Sequence, residues 1–269
     1  MNENLTHDTQ FAEGGSGGSP RALTEGELWS RELLDRLRAE RFTPGAWRRF
    51  FGEGFRRARV IRARRPALVA QSRSWGVAGC VAALPLGPRA VASWAAWWAM
   101  VDWHLGMVET AEGRERGLAA ADALTLGRLW AVPVVRRHPE PWLVAAGMAT
   151  DLFDGLLARR AGPTRLGRDF DSTADTLFLD AALRGAAERH GLDPRLLELE
   201  RARLLVGPAV TFARYFGSSE PAPIQQNRGL AAVLAAAGAL LAVSGRVRLA
   251  EPLLGAAIGY RTLIRIRAR

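Results

Sequence analysis

Between Asp151 and Asp175 the chain reads DLFDGLLARRAGPTRLGRDFDSTAD, and no other stretch restricts its fold as strongly. Four carboxylates fall there in two spaced pairs, Asp151 with Asp154 and Asp171 with Asp175. On a helix, residues three or four apart share a face, so each pair projects from one side of its own helix. The intervening AGPTRLG contains Gly162 and Pro163 and reads as a break, because proline cannot continue the hydrogen-bonded ladder and glycine accepts dihedrals that other residues avoid. A helical hairpin follows. If its arms lie side by side, the four carboxylates converge. Asp169 is two residues from Asp171 and points well away from it on a helix, so it stands outside the group.

Converging carboxylates repel one another, and such a cluster persists only where protons or cations neutralise it. Oxygen ligands without Cys or His nearby favour a hard cation, Mg²⁺ or Mn²⁺ before Zn²⁺. Gly155, directly after Asp154, costs roughly 1 kcal/mol inside a helix relative to Ala, and close approach of a ligand to the backbone is one use for it. Arg159, one turn further on, is a fixed cation placed to meet a phosphate. Helix caps and surface ion pairs are the plainer account of the same carboxylates.

The pattern DxxDGxxAR, a short loop, then GxxxDxxxD resembles the signature of the CDP-alcohol phosphotransferase family of integral membrane enzymes. It is matched at Asp151, Asp154, Gly155, Ala158, Arg159, Gly167, Asp171 and Asp175. Arg159 and Gly167 are separated by one residue fewer than in the family's common form. Upstream, LTLGRLWAVPVV at 124–135 resembles the family's helix that lines the nucleotide pocket, which adds Thr125 and Arg128 to the CDP-binding residues. A capping Thr and a snorkelling Arg are the alternative. The resemblance implies transfer of a phosphoalcohol group from a CDP-linked donor to an acceptor hydroxyl, with release of CMP. It implies two divalent ions held by Asp151, Asp154, Asp171 and Asp175, with Asp175 also the base, and Gly155, Ala158, Arg159 and Gly167 against the CDP moiety. A homodimer is implied as well. CDP-diacylglycerol as donor and a polar or lipid hydroxyl as acceptor would make the protein a phosphatidyltransferase of phospholipid biosynthesis in a bacterial plasma membrane, its site facing the cytoplasm.

A formal charge of +10 suggests nucleic acid or an anionic membrane surface when taken alone. All 37 basic residues are Arg, however, and alongside abundant Ala and Gly this points to a GC-rich genome before phosphate recognition. Nucleic acid is therefore not expected as a partner. The single cysteine, Cys80, lies in an apolar run and excludes a disulfide framework or a CxxC metal site. The four histidines are scattered and receive no role.

The expected fold class is all-α: an integral membrane helical bundle of six core transmembrane helices, with an N-terminal basic amphipathic region and an extra helical hairpin. Residues 1–26 read as a disordered tail. Residues 27–65 read as a basic amphipathic region on an anionic membrane surface, or as a helical pair packed on a partner. Residues 66–115 hold a transmembrane hairpin broken by LGP at 86–88, and residues 120–269 form the family-like domain. Trp94, Trp97, Trp98 and Trp103 suit either an aromatic belt at a membrane interface or a packing face. The run RRARVIRARR at 56–65 favours the cytoplasmic side, and alternating spans then place loop 160–167 and the C-terminus there too, with Arg136 and Arg137 opposite. Arg201, Arg203 and Arg214 face a polar cavity or snorkel. Two other functions compete: a prenyl-type diphosphate enzyme, using the same cations without cytidine, and a non-enzymatic Arg-rich protein of membrane surfaces or nucleic acid.

Overall fold

The computed structural model of the chain describes residues 23–110, 112–161, 164–218 and 229–267, with backbone alone at 151–152, 154–156, 158–161, 206–208, 210–212, 214–218 and 264–267. The described residues are helical, with two isolated bridges and no strand, so the all-α expectation holds. Thr24 opens α1 (Glu25–Ala39) with a capping box: its hydroxyl accepts from Glu27 N–H, and the Glu27 carboxylate accepts from Thr24 N–H at 2.9 Å. Helix therefore begins inside the stretch read as a tail, of which residues 1–22 lie outside the described ones. The chain then turns through Arg41 and Phe42 at φ 52° and 56° into α2 (Pro44–Arg64), so the basic region is a helical pair.

Proline marks where helices start. Pro44, Pro66, Pro88, Pro141 and Pro194 each open a helix, where the missing N–H costs nothing and the fixed φ suits the first turn. Helices α3 (Pro66–Ala83) and α4 (Pro88–Trp103) form a helical hairpin, turning at Gly87 with φ 94°, a conformation that favours glycine. The family-like part contains α5 (Ala120–Arg137), α6 (Pro141–Ala161), α7 (Arg165–His190), α8 (Pro194–Ser218), α9 (Gly229–Val243) and α10 (Val247–Arg267), close to the six segments expected from sequence.

The tryptophans of α4 divide between the two readings in favour of packing. Trp94 Nε1–H donates to Gly76 O at 2.8 Å and Trp98 Nε1–H to Ser72 O at 3.0 Å, both on α3. From α5, Trp130 Nε1–H donates to Gly79 O at 3.0 Å. The indoles reach these helix carbonyls because Gly76 and Gly79 carry no side chain; a Cβ at Gly79 would collide with the Trp94 ring. Trp103 stacks on Phe55 of α2, with centroids 4.9 Å apart.

Two apolar cores result. One joins α3, α4 and the first half of α5 to Leu166, Phe170 and Ala174 of α7. The other joins Phe178, Ala181, Ala182 and Ala186 of α7 to the end of α5 and to α6, α8, α9 and α10. Helix α7 runs through both. Among the described residues no helix is both long and apolar enough to cross a membrane. The most apolar, α9, has 15 described residues, and residues 219–228 immediately before it lie outside the described ones.

Replacing Gly79 with Ala should force the Trp94 ring off α3 and destabilise the protein by about 1–3 kcal/mol, observed as a lower melting temperature with helix content retained; an unchanged melt would contradict the packing described.

Candidate active site at the start of α7

The buried side of α7 follows the four-residue spacing of Leu166, Phe170, Ala174, Phe178, Ala182 and Ala186. Asp171 and Asp175 come one position after Phe170 and Ala174, at the edge of that stripe, and therefore share a flank one turn apart. Helix α5 packs along α7 and brings Arg128 to this flank. The Arg128 guanidinium forms ion pairs with Asp171 and, at 3.0 Å, with Asp175. Its side chain is only 2% exposed, whereas those of Asp171 and Asp175 are 34% and 44% exposed. The carboxylates thus have a buried cation behind them and an open face in front.

Arg128 does not snorkel, and it reaches the carboxylates themselves. Sequence reading placed it among the CDP-binding residues; in the structure its guanidinium is a counter-ion of the two Asp residues. Thr125 is buried one turn before it and donates to Ala121 O at 3.3 Å, so it is not a helix cap. On α6, Asp151, Asp154, Gly155, Ala158 and Arg159 occupy the last three turns before Ala161, with their side chains outside the described residues. The helical hairpin inferred from the motif is present, α6 ending at Ala161 and α7 beginning at Arg165. Both helices extend into the stretch read as a loop.

A second cluster secures the start of α7. Thr164 is its N-cap: its hydroxyl accepts from Gly167 N–H at 2.9 Å and donates to Asp122 Oδ1 at 3.0 Å. Asp122 is itself buried and also accepts from Ala119 N–H at 2.7 Å and Arg116 Nη2 at 3.1 Å. Gly167 lies beneath this bond. A Cβ there would stand 2.9 Å from Thr164 Oγ1 and 3.0 Å from Asp122 Oδ1, which gives the motif glycine a packing reason besides any contact with a ligand. Sequence reading missed Asp122 and Thr164. The Pro-Thr pair just before α7 is a legible cap signal, whereas nothing local announces Asp122 as its partner 42 residues away.

Arg201 and Arg203 do not join the carboxylate group. Arg201 pairs with Asp180 at 3.2 Å, and Arg203 pairs with Glu200 on its own helix; Arg214 lies outside the described side chains. Among the described residues no set of three or more His, Cys, Asp and Glu could hold a metal ion; two of the four expected ligands are outside them. What is described fits a hard cation: Asp171 and Asp175 offer carboxylate oxygens on an accessible face, the donor type that Mg²⁺ and Mn²⁺ take.

The sequence model of the CDP-alcohol phosphatidyltransferase family matches residues 118–261, more than half of the chain and all of it from the start of α5 into α10. The chain belongs to this family. Neither a curated protein nor a solved structure matches it. Membership supports an enzyme that transfers a phosphoalcohol group from a CDP-alcohol.

Thr164→Val removes the cap of α7 and one donor of the buried Asp122 carboxylate. It should cost about 1–2 kcal/mol, read as a lower thermal midpoint of the purified protein, while Thr164→Ser should stay near wild type.

Proposed function

We propose that the protein is a metal-dependent phosphatidyltransferase of phospholipid biosynthesis, moving a phosphatidyl group from a CDP-linked donor such as CDP-diacylglycerol to an acceptor hydroxyl and releasing CMP. The observation that carries this reading is the placement of Asp171 and Asp175, one turn apart beside the buried Arg128, inside the family-matched segment. Two divalent ions, Mg²⁺ or Mn²⁺, held by Asp151, Asp154, Asp171 and Asp175 would supply neutralising charge for the pyrophosphate and the departing CMP.

The residues of the chain do the rest. Asp175, the more exposed of the α7 pair, accepts the proton of the attacking hydroxyl. A bond forms between that oxygen and the donor's phosphatidyl phosphorus while the phosphorus–oxygen bond to CMP breaks. Arg128 keeps both carboxylates of α7 on one flank. The motif match assigns Arg159 to a phosphate of the donor and Gly155 and Ala158 to the CDP moiety.

A membrane setting suits these substrates, because a lipid donor enters from the leaflet while a polar acceptor comes from water. Large apolar side chains that face outward around the bundle support it, among them Trp142 at 70% exposure, Leu205, Val233 and Leu263. Internal pairing of charges supports it too: Asp180 with Arg184 at 2.6 Å and Glu200 with Arg261 at 3.3 Å, as expected where ionisable groups avoid lipid. On this reading the protein is a multi-pass homodimer of a bacterial plasma membrane with the site toward the cytoplasm, crossing on helices whose charges pair inside the bundle and not on the long, uniformly apolar spans that none of the described helices supplies.

The test is release of CMP by the purified, detergent-solubilised protein with Mg²⁺, CDP-diacylglycerol and a panel of polar acceptors. Acceptor-dependent release is expected, and Asp175→Asn should lower it by at least about 100-fold with donor binding retained. Wild-type turnover in that variant would exclude Asp175 as the base, and no release from any lipid or soluble CDP-alcohol would overturn the proposal.

A further inference from the structure

The family-matched segment begins at residue 118, yet the first residue of α7 is held from outside it. Arg165 donates from Nη1 to Glu109 Oε1 at 2.8 Å, and its Nε lies 3.3 Å from Glu27 Oε1. Thr24 donates to the same Glu109 oxygen at 2.9 Å. These side chains are largely buried: Arg165 and Glu109 are each 11% exposed and Glu27 is 15% exposed. The backbone joins in, Arg165 N–H donating to Glu109 O at 3.1 Å and Thr110 bridging Thr164. Gly26, in the first turn of α1, leaves the space this cluster fills; a Cβ there would lie 2.9 Å from Arg165 Nη1 and 3.1 Å from Glu109 Oε1.

The segment that carries Glu109 is itself fastened by α2 and α3. Arg65, at the junction of those helices, donates to Leu105 O at 3.1 Å and to Val108 O at 3.0 Å. Gln71 exchanges two hydrogen bonds with the backbone of Leu118, at 2.7 and 2.9 Å. A continuous set of polar contacts thus runs from α1, α2 and α3 through residues 105–118 to the one residue at which the connection between the two carboxylate pairs ends and α7 begins.

We propose that Glu109 and Arg165 are positioning residues of the transferase site, through which the region before the family segment sets the placement of Asp171 and Asp175. Arg165 precedes Asp171 by six residues, about 9 Å along a helix, a length over which a helix moves as a unit. A buried guanidinium paired with two carboxylates is costly to break and geometrically specific. Such a clamp differs from ordinary stapling in the element it grips: α7 is the helix that carries Asp171 and Asp175. The inference rests on reading Asp171 and Asp175 as site carboxylates.

The test uses the full-length purified protein. Glu109→Gln, Arg165→Gln and the double variant are compared with wild type and with Arg62→Gln, which breaks a different ion pair of the N-terminal region, to Asp102 at 2.8 Å. Mn²⁺ affinity is measured by electron paramagnetic resonance without donor, hydrogen exchange at the amides of residues 165–170 by mass spectrometry, and melting temperature alongside. Both clamp variants should weaken Mn²⁺ binding about tenfold and speed exchange at the start of α7, the double variant being no worse than the weaker single; Arg62→Gln should lower only the melting temperature. Clamp variants that melt earlier but bind Mn²⁺ as wild type does would overturn the proposal, as would an equal loss of affinity in Arg62→Gln. Wild-type protein that binds Mn²⁺ but releases no CMP would overturn the proposed reaction and leave the clamp to be decided by the titration. Protein that does neither would overturn both.

Discussion

Asp171 and Asp175 stand one turn apart on the helix that passes through both cores, and their mutual repulsion is the constraint around which the neighbouring structure is arranged. Like charges on one flank of a helix destabilise it unless a cation is close. Arg128 supplies that cation from α5, almost wholly buried while the carboxylates remain open. The dependence is mutual, since a buried guanidinium without carboxylate partners would be far more costly than a paired one. The close approach of α5 and α7 that this requires is helped by the small residues along α7, where Ala174, Ala181, Ala182, Gly185 and Ala186 are buried.

Once α5 and α7 are placed, what remains is to fix where α7 starts. Two adjacent residues do this with different partners. Thr164 is bonded to Asp122 of α5, inside the family-matched segment. Arg165 is bonded to Glu109 and Glu27, outside it. The region before the family segment therefore has a definite part in the architecture, and its own rigidity comes from close packing of indoles against glycine-bearing turns of α3. Charge burial recurs elsewhere in the bundle as pairs, Asp180 with Arg184 and Arg201 and Glu200 with Arg261. In an Arg-only basic chain, the planar donor fork of the guanidinium suits such pairing.

Much of this was determined by sequence alone. Helix class, the ends of most helices and the hairpin across the motif follow from local chemistry: prolines at first positions, Gly87 and Pro163 at breaks, carboxylates at three- and four-residue spacing. Family membership was legible for the same reason, since the motif is a contiguous pattern of residues whose spacing is dictated by helix periodicity. What only the tertiary structure decided concerns contacts between residues distant in the chain. Arg128, read from the sequence as one of the CDP-binding residues, is paired with Asp171 and Asp175; Trp94 and Trp98 of α4 donate hydrogen bonds to α3; and Arg165 is an anchor held by Glu109. Periodicity says which side chains share a face; it does not say which face of another helix lies opposite. That choice is made by burial, close packing and charge pairing summed over the whole bundle.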